Sequence, residues 1–140
     1  MAAPRVFISF DFDNNETAKH LFAGQAKLSE TPFEIEDWSS KVALPQNEWE
    51  RRIKEKINQA NMLIVLVGKN MSSAGGVAKE IAFADANNVP VFGVYVDGAN
   101  EYSTLPTGLP RNRVIDWSWS GIASAIKQLM GEKKNGRRTL

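Results

Sequence analysis

The chain has 140 residues, and its 17 Lys and Arg against 16 Asp and Glu leave a net charge of +1, a balance with no broad basic footprint for nucleic acid or an anionic membrane. That length suits one domain around a single core, read here as residues 1–131, with 132–140 a polar tail carrying Lys133, Lys134, Arg137 and Arg138. With no cysteine, one histidine and no signal-peptide or bilayer-length apolar run, disulfides, thiolate nucleophiles and imidazole-rich metal sites are excluded, and a soluble cytoplasmic protein is expected.

Five strand candidates lie at 6–8, 33–35, 62–67, 91–96 and 113–115. The first, Val6, Phe7 and Ile8, runs through Ser9 and Phe10 into Asp11 and Asp13. It sets acidic groups at the carboxyl end of a strand, the edge at which an open α/β sheet takes ligands. A first helix begins at Asp13, whose side chain caps it while Glu16 reaches back, and it buries Ala18, Leu21, Phe22 and Gln25 at helical spacing. On spacing alone Asp13 is a cap before it is a site residue, and Asp11 a turn residue.

The second strand is short and charged, which suits a sheet edge. A loop over 38–47 leads to a second helix, opened by Asn47 and Glu50, with Trp49, Ile53, Ile57 and Ala60 on one face. The runs at 62–67 and 91–96 are continuously apolar, as strands covered on both faces are, and belong at the sheet centre. Between them a third helix follows Gly75 and Gly76, turns Val77, Ile81 and Ala84 inward, and ends at Asn87 and Asn88 before Pro90. Pro106 and Pro110 then punctuate a loop with at most a short helix. A fourth helix carries Ile122, Ile126, Leu129 and Met130, with Trp117 and Trp119 as its anchors.

Strand and helix alternation at this spacing implies parallel pairing through right-handed crossovers. The simplest solution is an α/β, flavodoxin-like five-stranded parallel sheet in the order 2-1-3-4-5, with helices on both faces and its switch point between strands one and three. The turn after the first strand lacks the glycines of a dinucleotide fingerprint or P-loop, and its two carboxylates would repel a flavin phosphate. A phosphoryl-accepting receiver would use acidic residues there for Mg²⁺, but its acceptor aspartate is missing after the third strand, which reads Val67, Gly68, Lys69, Asn70.

The ordered set Val6 to Phe10, then Asp37, Trp38 and Ser39, then Trp49 opening a helix, Met62 to Gly68, Val77 to Ile81 and Val89 to Val94 resembles a TIR-like domain. Within that superfamily it is most similar to the small bacterial and archaeal group that includes the ThsB proteins of the Thoeris antiphage system. The resemblance implies NAD+ as substrate rather than cofactor, and a catalytic glutamate at the start of the third helix, which falls on Glu80. By helical angle Glu80 is expected on the shoulder of the Val77, Ile81 and Ala84 stripe, neither buried nor fully outward. Its plain structural alternative is a surface glutamate near a helix N-terminus.

Phe7, Ser9, Phe10, Asp11 and Trp38 are the substrate-binding candidates around it. Ser9 is suited to a hydrogen bond with a ribose or phosphate oxygen, and Phe10 or Trp38 to stacking on a flat ring. Phe7 has an equal reading as inward core, and Trp38 as a cover for the sheet edge. Gly76 stands where many TIR enzymes carry a tryptophan one turn before the glutamate. The loop 38–47 takes the place through which TIR assemblies commonly meet a neighbouring subunit, so self-association there and a phage-derived trigger are expected. The leading expectation is an NAD+ glycohydrolase or ADP-ribosyl cyclase in antiphage defence. Its rival is a non-catalytic TIR-like interaction or nucleotide-sensing module.

Overall fold

The computed structural model describes residues 5–10, 20, 34–38, 46–69, 75–96 and 98–132, with the strand at 34–38 described by its backbone alone. Asp11, Asp13, residues 39–45 of the loop, the segment after 132 and the first predicted helix apart from His20 lie outside the described residues. Four strands of five or six residues, β1 (Arg5–Ser9), β2 (Glu34–Trp38), β3 (Met62–Val67) and β4 (Val91–Tyr95), are joined by a two-residue β5 (Val114–Ile115). They form one sheet in the order β2-β1-β3-β4-β5, parallel at every pairing. The described helices are α1 (Gln46–Gln59), α2 (Gly75–Ala86) and α3 (Trp119–Glu132), which answer to the second, third and fourth predicted ones.

Alternation of side chains along the strands sorts the interior into two layers. Val6, Ile8, Phe10, Met62, Ile64, Leu66, Phe92 and Val94 turn to one face, where Ile122, Ala125, Ile126 and Leu129 of α3 cover them. Phe7, Leu63, Val65, Val67, Val91 and Tyr95 turn to the other, against Ile53 and Ile57 of α1 and Val77, Ile81 and Ala84 of α2. Because both faces are covered, every residue of β3 and β4 is buried, and their unbroken apolar runs follow from that position.

Three elements depart from the sequence reading. β2 begins and ends later than 33–35, reaching Trp38, because Glu36 is accommodated in a bulge: Val6 pairs with Ile35 and Phe7 with Asp37. Bulges of this kind add twist to an edge strand. Val96 lies just beyond β4. Arg113 belongs not to the last strand but to a single 3-10 turn, η1 (Arg111–Arg113), preceding it.

Helix α2 stops where the asparagines stand. Asn88 adopts φ 58°, the left-handed conformation that closes helices and that Asn tolerates, and Val89 N–H donates to Ala84 O at 2.8 Å. Gly93, midway along β4, is a glycine because of crowding: a Cβ there would stand 2.9 Å from Leu109 Cδ2 and 3.0 Å from Val67 Cγ2. The β4–β5 connection thereby lies close against the sheet, and Gly108 at φ 94° brings it onto Ile81 of α2.

Candidate functional site

β1 is flanked by β2 on one side and β3 on the other, so its carboxyl end is the switch point of the sheet, the edge at which open α/β sheets take ligands. Ser9 is the last residue of β1 and pairs with Val65. Counting by two from Phe7 sends its side chain toward α1 and α2. Glu80 lies in the second turn of α2, whose N-terminal half stands at this same sheet edge because α2 follows β3. The two meet: Ser9 Oγ donates to Glu80 Oε1 at 2.6 Å, and the bond is buried. That length is in the range of a hydroxyl donating to an ionised carboxylate.

Glu80 is 1% exposed and Ser9 0%. The expectation of a half-turned glutamate on the helix shoulder is therefore corrected, because the shoulder of α2 faces the carboxyl end of β1 rather than water. Burying a carboxylate opposes its charge, and the hydroxyl of Ser9 offsets part of that cost. Just outside, Lys79 Nζ bridges to Glu50 Oε1 at 3.2 Å and stands 6.0 Å from the centroid of the Trp49 ring. This contact ties the N-terminal halves of α1 and α2 together.

The remaining candidates are placed as follows. Phe7 is fully buried in the layer under α1 and α2. Phe10, read from sequence as a stacking surface, is 2% exposed in the opposite layer under α3, since it follows Val6 and Ile8 in the strand alternation. Trp38 ends β2 at the carboxyl edge, in register with Ile8. Asp11 lies outside the described residues. Of the candidates, the structure brings together Ser9 and Glu80.

Sequence reasoning missed Arg113, a buried cation at 1% exposure whose Nε donates to Val91 O at 3.0 Å. It sits at the amino end of β4, away from the Ser9 edge, and fastens η1 to the sheet. An open cleft of about 590 Å³ lies between the end of β4 and β5, lined by residues that include Tyr95, Asn100, Glu101, Arg111 and Asp116. Charges of both signs meet there, and Arg111 Nη2 is held by Ser103 O at 2.7 Å. Among the described residues no three His, Asp or Glu side chains cluster as a metal site would need.

The family model described as Thoeris protein ThsB, TIR-like domain, matches residues 7–101, a span that runs from β1 past the end of β4. The chain belongs to the ThsB TIR-like family. Ser9, Trp38 and Glu80 lie inside the matched span of this ThsB-type domain. A solved structure titled as a prokaryotic SEFIR domain aligns with it at a TM-score of 0.55 and 15% identity, over 99% of each chain. At that identity the likeness is one of fold. No match is found among curated proteins.

Proposed function

We propose that this ThsB-family protein consumes NAD+ in antiphage defence, cleaving the nicotinamide–ribose bond with Glu80 as the catalytic residue and releasing ADP-ribose or a cyclised isomer as a signal. One observation carries the reading: a carboxylate buried at 1% exposure at the switch point, met there by a serine hydroxyl. The fold has no need of charge at this place, since an apolar side chain of similar volume would cost less to bury. Titratable groups held against that cost are candidates for chemistry.

In the proposed reaction the bond from ribose C1′ to the pyridinium nitrogen breaks and its electron pair leaves with nicotinamide, a neutral leaving group that requires no acid. Positive charge develops on C1′ and the ring oxygen, and the Glu80 carboxylate stabilises it more strongly than it stabilises the ground state. Water then adds at C1′ and loses a proton to give ADP-ribose, or an adenosine nitrogen or hydroxyl adds to give a cyclic isomer. At its present burial Glu80 meets substrate only after neighbouring segments part. Turnover therefore depends on an opening step, which a phage-derived trigger or self-association through loop 38–47 would supply.

The same burial favours a second reading, a non-catalytic module that binds a nucleotide or a partner protein, with the Ser9–Glu80 pair as an internal brace. Incubation with NAD+, alone and with extract of phage-infected cells, separates the two when nicotinamide is followed by chromatography. Release by wild type and not by Glu80→Gln supports the enzyme. NAD+ binding without release under either condition supports the sensor.

A further inference from the structure

Resting on Glu80 as the catalytic carboxylate, we propose that Ser9 is its positioning residue: the hydroxyl at the end of β1 holds one carboxylate oxygen and so sets the rotamer in which Glu80 addresses the reacting ribose. Ser9 is then not a substrate ligand. Its hydroxyl proton is donated to Glu80 Oε1 at 2.6 Å, inside the protein, rather than to a sugar oxygen. A glutamate has three side-chain torsions to restrain, and a buried charge-assisted hydrogen bond to one carboxylate oxygen narrows the rotamers open to it.

The anchor is suited to the task. β1 is held by parallel ladders on both sides, to β2 as far as Ile8 and to β3 through Ser9 itself, which pairs with Val65, so the hydroxyl stands at the end of a strand fixed inside the sheet. Val6, Phe7 and Ile8 are apolar and buried, and Ser9 is the one polar residue among the buried positions of the strand. A hydroxyl in that setting must be bonded to be tolerated, and this one donates to the carboxylate 71 residues later. An alanine would satisfy the packing of β1 equally well. The serine is explained by what it does to Glu80.

The test measures kcat and KM for NAD+ cleavage in Ser9→Ala and Ser9→Thr, each checked for folding by its thermal melt. Loss of positioning is expected to lower kcat of Ser9→Ala roughly 10–100-fold, with KM within about threefold. Ser9→Thr, which keeps the hydroxyl, should recover most of the rate. If Ser9→Ala does not fold, Ser9→Cys, of similar shape with a weak donor, carries the same expectation. A Ser9→Ala enzyme with kcat within twofold of wild type overturns the role, as does a defect confined to KM, which would make Ser9 a substrate contact. A wild-type protein that releases no nicotinamide with or without the infected-cell extract overturns the enzymatic reading and the positioning role together, and that outcome is visible before any variant is compared.

Discussion

Glutamine at position 80 keeps the shape of glutamate and an oxygen to accept from Ser9, removes the charge, and puts an amide NH2 in place of the second oxygen, whose buried donors cost about 1–3 kcal/mol where they find no acceptor. The hydrogen bond falls from the charge-assisted class, about 1.5–3 kcal/mol, to the neutral class, about 0.5–1.5 kcal/mol, a loss near 1 kcal/mol. Against it stands the relief of a buried carboxylate, whose effective penalty is several kcal/mol before its partners offset it. With these terms opposed, Glu80→Gln is expected to stay within about 1 kcal/mol of wild type, near 3–4 °C of melting temperature per kcal/mol at this chain length. Alanine instead deletes about 0.8 kcal/mol of buried methylene, leaves a void and strands the Ser9 hydroxyl at about 1–3 kcal/mol, for a net loss of roughly 1–3 kcal/mol. Urea unfolding followed by tryptophan fluorescence gives both values, and nicotinamide release gives the activity, which should vanish in each variant. Destabilisation of Glu80→Gln by more than about 1 kcal/mol would refute the reasoning, because the carboxylate would then be serving the fold.

Arg113→Ala removes a buried stem of three methylenes and the donor to Val91 O, and should cost about 3–5 kcal/mol in urea unfolding; Arg113→Met, filling the same space without charge, should lose less than half of that. A Cβ at Gly76 meets nothing within 4 Å, so Gly76→Ala should stabilise α2 by about 0.5–1 kcal/mol, while Gly93→Ala, crowded by Leu109 and Val67, should destabilise by about 1–3 kcal/mol; equal melting shifts for the two would contradict the packing described. Trp49 is half-buried against the α1–α2 layer, and Trp49→Ala is expected to cost about 2–3 kcal/mol, below the range for a fully buried indole, with a loss under 0.5 kcal/mol counting against that contact.

The central strands were legible because burial on both faces writes itself as an unbroken apolar run, and the stripes of α1, α2 and α3 because each buries one face. The end of β2 was hidden by Glu36 and Asp37, whose charges break the apolar run, although the strand continues past them, with Glu36 in the bulge and Asp37 paired with Phe7. Periodicity placed Glu80 about 60° off the buried stripe of α2, yet it carries no information about what stands beyond that shoulder; only the fold brings Ser9 there. Phe10 was open to better reading, since alternation already set it with Val6 and Ile8 rather than with Ser9. Arg113 gave no local signal, because an arginine before two β-branched residues looks the same whether its guanidinium faces water or a strand carbonyl.

Ser9 and Phe10 are neighbours in the chain and yet belong to opposite sides of the sheet, one beside Glu80 and the other beneath α3. The sheet thus acts as a bulkhead: the effects of substitutions in the compartment under α3 should add to those at the Ser9–Glu80 pair rather than multiply them. That compartment is where sequence can drift, or where a designer can recast the core for thermal endurance, while the Ser9–Glu80 pair behind the partition keeps its geometry.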